Sequence, residues 1–191
     1  MRRIEALEAL LPWTTDVPVV VTCAATTREL AGIADRPNHF YLLDSMGLAV
    51  SVATGLAVGL QRTQVPRVVA VEGDGSLLMN PNALVTLGFL EPEKLVVVLL
   101  DNGVYGSTGD VPTYTGKLNL AALAESVGAV VSDVADRPTL EESMDRAFSE
   151  RGPHFIRVRI DPGNSPSPNY LESPVAIKVR FEAWLRERAR L

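Results

Sequence analysis

Six consecutive apolar residues, Leu95–Leu100 (LVVVLL), constrain the fold more than any other segment. Polar and apolar positions do not alternate in this run, so a strand made from it must bury both faces. The run is far shorter than the roughly 20 apolar residues of a membrane-spanning helix. Five further short runs accompany it: Val17–Thr22, His39–Leu43, Arg67–Val71, Ala129–Val131 and Phe155–Ile160. Between them lie segments of helical pattern: Arg3–Leu11, Thr27–Ala34, Met46–Gln61, Asn82–Leu90, Leu118–Val127, Leu140–Glu150 and Pro174–Arg188. Strands alternating with helices predict right-handed crossovers. The expected fold is α/β: a doubly wound, mainly parallel six-stranded sheet with helices on both faces. Ser173-Pro174 reads as cap and first-turn proline of a C-terminal helix over about 174–190. These elements use up nearly all 191 residues, so residues 1–191 are expected to form a single domain.

The net charge of −5 argues against nucleic-acid binding, which needs a basic face to neutralise phosphates. Basic residues gather only over Lys178–Arg190, where they alternate with apolar ones and read as a solvated helix face. The single cysteine, Cys23, allows no disulfide within the chain and no Cys cluster for zinc or iron–sulfur. It reads as a small buried thiol in a reducing cytoplasm. The N-terminal MRRIEALEALLPW carries acidic residues inside its apolar stretch and reads as an amphipathic helix, not a signal peptide. No membrane partner is expected.

The chemistry concentrates in residues 68–109. One apolar strand ends in Glu72-Gly73-Asp74-Gly75-Ser76, and after a helix the next ends in Asp101-Asn102-Gly103. Both endings fall at the carboxyl edge of a parallel sheet, where open α/β folds bind ligands. The glycines let backbone approach a phosphate closely. Asp74 offers a carboxylate oxygen and Asn102 an amide oxygen, the hard donors that Mg²⁺ prefers alongside phosphate. Gly103 permits a turn that aims the Val104 carbonyl inward. A lone Gly-Asp-Gly marks only a tight turn; the second strand end in Asn-Gly is what points to function. No Gly-Lys-Ser/Thr follows, so this is not a P-loop, and no G-x-G-x-x-G is present.

The paired endings resemble the thiamine-diphosphate motif, Gly-Asp-Gly followed by Asn. Nearly the whole chain is similar to sulfopyruvate decarboxylase β subunits and to the C-terminal part of phosphonopyruvate decarboxylases. The shared segments are TTREL at Thr26–Leu30, SMG at Ser45–Gly47, GDGSLLMN at Gly73–Asn80 and LDNGVYGSTG at Leu100–Gly109, followed by a tail of PGN and SP…IK.RF. The resemblance implies the diphosphate-binding domain of a thiamine-diphosphate fold. It implies that Asp74, the Asn102 side chain and the Val104 carbonyl bind Mg²⁺. Asp44, Ser45, Gly73, Gly75, Ser76 and Tyr105 would complete the cofactor contacts, with Gly75 and Ser76 at the diphosphate. Met46 would wedge the cofactor's two rings into a V; the plainer alternative is a first-turn core methionine. Asp44 stands where the family usually has Gly, and Asp101 replaces an Asn outside the metal's direct ligands.

In the resembling family a glutamate on a separate pyrimidine-binding domain activates the cofactor. The six strands leave no room for such a domain here, which predicts a partner subunit of α type supplying that Glu. The assembly would hold at least two of each subunit. The implied reaction decarboxylates a small 2-oxo acid such as 3-sulfopyruvate or phosphonopyruvate to an aldehyde. Carboligation of the acetolactate-synthase type, or a non-catalytic cofactor-binding subunit, are the alternatives. Ser107 and Thr108, with Met46, are the catalytic candidates, although Ser and Thr in a Gly-rich loop also serve as turn formers. Residues Asp110–Lys117 read as a loop over the site or a plain connection. Arg28 is a candidate to meet an anionic substrate. His39 and His154, each opening a strand without a metal-spaced partner, read as structural.

Overall fold

A computed structural model describes residues 1–190. Its main sheet has six strands: β1 (Val19–Val21), β2 (His39–Tyr41), β3 (Val68–Gly73), β4 (Leu95–Asp101), β7 (Val130–Val134) and β8 (His154–Arg159). All neighbours are parallel, in the order β2-β1-β3-β4-β8-β7. The other two strands, β5 (Val104–Tyr105) and β6 (Val111–Pro112), form a small antiparallel pair beyond the sheet edge. The helices are α1 (Arg3–Leu10), α2 (Ala25–Ala34), α3 (Ala49–Gly59), α4 (Asp74–Leu77), α5 (Asn82–Leu90), α6 (Leu120–Ser126), α7 (Arg137–Ser149) and α8 (Pro174–Ala189).

The pleat of β4 divides the interior. Val96, Val98 and Leu100 enter one core with α1, α2 and α7, while Leu95, Val97 and Leu99 enter a second core with α3, α5 and α6. All seven residues of β4 are buried. Each of its six apolar side chains stabilises the fold by about 1.5–3 kcal/mol, so the LVVVLL run is the central strand its pattern predicts. The chain leaves β1 toward β2, then crosses back to place β3 on the other side of β1. That reversal opens a crevice at the carboxyl ends of β1 and β3.

Several boundaries differ from the sequence reading. The helix expected from Met46 starts at Ala49, because Gly47 has φ +76° and ends any helical run through Met46. β7 continues through Ser132 and Asp133 to Val134 because it is an edge strand. Asp133 there meets Arg157 (3.3 Å) and Arg159 (3.0 Å) on β8, so its charge is paired. α7 begins at Arg137 and not Leu140: the Asp136 side chain accepts from Thr139 N (3.0 Å), and Pro138 fills the first turn. No helix among the described residues is long and apolar enough to cross a membrane.

Candidate functional site

A cleft of about 320 Å³ lies at the β1/β3 crevice. Its lining comes from three strand ends: Thr22–Thr26 after β1, Gly73–Ser76 after β3, and Asn102 with Val104–Ser107 after β4. Met46 reaches it from the turn before α3. The motif residues meet here because parallel strands deliver all their carboxyl ends to one edge.

Asp74 is 2% exposed, and its Oδ2 accepts a hydrogen bond from the Thr113 hydroxyl (2.7 Å). Burial pushes its carboxyl above the usual range; the Thr113 bond pulls it back, and the neighbouring Asp101 carboxylate raises it further. Asp101 itself faces away, toward Arg157 Nη2 (2.7 Å) and Nε (2.8 Å). Its other oxygen accepts from Gly103 N and the Thr115 hydroxyl, each at 3.1 Å. Asn102 Oδ1 accepts from Val104 N (3.1 Å), fixing the turn at Gly103, whose φ is +70°. One buried carboxylate, one amide oxygen and a local excess of negative charge suit a Mg²⁺ that fills its shell with phosphate and water.

The Gly-Asp-Gly glycines have different causes. A Cβ on Gly75 would lie 2.6 Å from the Tyr105 ring, so the bare backbone is what lets that ring close on the turn. Gly73 has an ordinary φ of −104° and open space about it. Ser76 Oγ accepts from Gly47 N (2.8 Å) and shares a proton with the Thr22 hydroxyl (2.9 Å). Asn80 Nδ2 donates to the Gly47 carbonyl (3.0 Å). The GDGSLLMN segment therefore clamps the turn that carries Met46, which is 39% exposed and borders the cleft instead of filling a core.

Of the sequence candidates, Met46, Gly73, Asp74, Gly75, Ser76, Asn102, Val104, Tyr105, Ser107 and Arg28 line the cleft. Asp44 and Ser45 do not: they are exposed in the turn after β2, which Ser45 N closes by donating to Leu42 O (2.7 Å). Nor does Thr108, whose hydroxyl turns back to the Tyr105 carbonyl (3.2 Å) and acts as a turn former. The Asp110–Lys117 loop is tied to the site through Thr113. His39 bonds Tyr41 (3.1 Å) and is buried, as its structural reading required. Cys23 is buried at the cleft wall, and burial with the nearby Glu72 carboxylate pushes its thiol up.

Sequence reasoning missed Thr22, Ala24, Thr113, Arg3 and Asn164. Ala24 takes φ +63° and ψ −130° at the head of α2, a strained geometry without a glycine to signal it. Arg3 lies 7% exposed at the cleft, its Nη1 donating to Glu29 Oε1 (3.0 Å) and Asn164 Oδ1 (2.9 Å). The TTREL and PGN segments held Glu29 and Asn164 without revealing that they converge.

The family model of the thiamine pyrophosphate (thiamine diphosphate) enzyme C-terminal TPP-binding domain matches residues 21–158. Sulfopyruvate decarboxylase subunit beta of Methanothermobacter thermautotrophicus is 42% identical over 88% of this chain and 86% of that protein. Phosphonopyruvate decarboxylase of Streptomyces viridochromogenes is 36% identical over 96% of this chain but 46% of its own, so the chain spans about half of that relative. Benzoylformate decarboxylase of Polynucleobacter necessarius shares the fold, with a TM-score of 0.73 at 22% identity over 87% of this chain and 34% of that one. The chain belongs to the thiamine pyrophosphate enzymes, as their C-terminal TPP-binding domain.

Proposed function

We propose that this chain is the diphosphate-binding subunit of a two-subunit thiamine-pyrophosphate-dependent decarboxylase of small anionic 2-oxo acids, with 3-sulfopyruvate or phosphonopyruvate as substrate. The observation that carries the reading is the match, nearly end to end, with a protein named as a β subunit, alongside a match to about half of a phosphonopyruvate decarboxylase. The chemistry divides in the same way: this chain presents a metal and phosphate cradle at an open sheet edge. The partner subunit supplies the glutamate that activates the cofactor, in an assembly of at least two of each chain, in the cytoplasm.

Asp74, Asn102 and the Val104 carbonyl would hold Mg²⁺. Gly73, Gly75 and Ser76 would receive the diphosphate, since bare glycines let the backbone approach phosphate oxygens closely. Bound there, thiamine pyrophosphate supplies the electron sink for loss of CO₂ from a 2-oxo acid. Met46, clamped through Gly47 by Ser76 and Asn80, would pack against the bound cofactor from the turn before α3. Tyr105 and Ser107 wall the cleft and restrict water.

Mixing the purified chain with its partner and assaying a panel of 2-oxo acids, with thiamine pyrophosphate and Mg²⁺, tests the reading. Release of CO₂ and an aldehyde is expected from the mixture, and none from the chain alone. Robust turnover by the chain alone, with mass spectrometry excluding contaminating partner, sinks the two-subunit reading. A longer hydroxyketone product would assign carboligation instead.

A further inference from the structure

We propose that Arg28, backed by Arg3, forms an oxyanion subsite in the cleft, binding either a phosphate of the cofactor or the sulfonate or phosphonate of the substrate. Only the second source rests on the function proposed above.

Arg28 stands in the first turn of α2, half-buried, and lines the cleft. Its guanidinium makes no ion pair or hydrogen bond among the described residues, unlike the partly exposed Arg180, which pairs with Asp35 (2.9 Å). A half-buried cation without an acceptor retains its desolvation cost until a ligand supplies the missing oxygens. Arg3 differs in being held: Glu29 Oε1 takes its Nη1, and that oxygen also accepts from Ser165 N (2.9 Å). Asn164 takes the same Nη1, so the guanidinium plane is fixed while its remaining donors stay uncommitted at the cleft wall. Glu29 balances one of the two cations, which leaves the other uncompensated.

Thr26 adds a neutral donor. It is 6% exposed, lines the cleft, and its hydroxyl has no hydrogen-bond partner among the described residues. Asn164 also lies close to Gly106, so the subsite borders the turn that carries Ser107. Two guanidiniums, a hydroxyl and the start of a helix form a donor array suited to a tetrahedral oxyanion. Arg3 and Arg28 stand on α1 and α2, which pack on one face of the sheet, whereas Met46 stands in the turn before α3, which packs on the other.

Arg28→Gln is the test, because this side chain holds nothing else and its loss leaves no buried group unpaired. The chain assembled with its partner is titrated calorimetrically with thiamine pyrophosphate and Mg²⁺. It is titrated separately with 3-sulfopropionate, which keeps the sulfonate and carboxylate but cannot react, and with propionate as control. Cofactor binding weakened about tenfold or more assigns the oxyanion to the cofactor. Unchanged cofactor binding with similarly weakened 3-sulfopropionate, and Arg28→Lys restoring part of it, assigns it to the substrate. Unchanged binding of both overturns the subsite. If the wild-type assembly turns over no 2-oxo acid, the decarboxylase reading fails while both titrations still report on Arg28.

Discussion

The ends of β3 and β1 face the same cleft, yet they are built on opposite principles. β3 ends in Gly-Asp-Gly-Ser, and three of those four residues have a partner or a reason: Asp74 holds Thr113, Gly75 admits Tyr105, and Ser76 holds Gly47 and Thr22. β1 ends in Thr-Cys-Ala-Ala-Thr, and its turn is made by a strained alanine at φ +63°. A turn built on glycine and hydrogen bonds announces itself in sequence. A turn held by the surrounding fold against its own preference does not.

The largest contrast is expected from Asp74→Ala. Mg²⁺-dependent binding of thiamine pyrophosphate should fall below detection in calorimetry, while the chain still folds and loses only about 1–3 kcal/mol of stability, because the Thr113 hydroxyl loses a buried partner. Undiminished cofactor affinity would remove the metal from this strand end. Ser76→Ala should cost about 1–3 kcal/mol in urea unfolding, because Gly47 N and the Thr22 hydroxyl both lose a buried partner. Ring geometry at Met46 should loosen with it, lowering turnover more than diphosphate affinity.

Ala24→Gly probes the other strand end and should act in the reverse direction. Relief of about 1–3 kcal/mol of strain outweighs the added freedom of the unfolded chain, for a net gain of about 1 kcal/mol. A loss of stability would mean that the fold holds Ala24 without strain. The smallest effect on stability belongs to Gly73→Ala, within about 0.5 kcal/mol, because its φ is ordinary and its surroundings are open. Weakened cofactor binding in that same variant would show that the motif's first glycine is kept bare for the ligand alone.

Legibility followed the range of the forces involved. LVVVLL needed only its own pattern to be read as a doubly buried strand, and Gly-Asp-Gly with Asn102 needed only the strand ends on which they sit. Thr113 was unreadable because its role depends on a two-residue strand pair and a partner 39 residues away. Arg3 was further out of reach, since its partners are Glu29 and Asn164, 26 and 161 residues distant. Met46 was read into a helix because the apolar pattern of α3 runs back through it, although the φ of Gly47 forbids the continuation. The Asp136 cap of α7 was a missed local signal, written openly as Asp-Arg-Pro.

The strand order also shapes how the molecule comes into being. β8, the last strand in the chain, inserts between β4 and β7 and gives β4 its second neighbour. While the chain is synthesised from its N-terminus, the edge of LVVVLL waits unpaired until β8 emerges. At about 5–20 residues per second that interval lasts several seconds. Through that window the nascent chain presents an apolar strand edge open to other chains. Yield of folded subunit should therefore depend on chaperone supply and translation speed more than on the stability of the finished sheet.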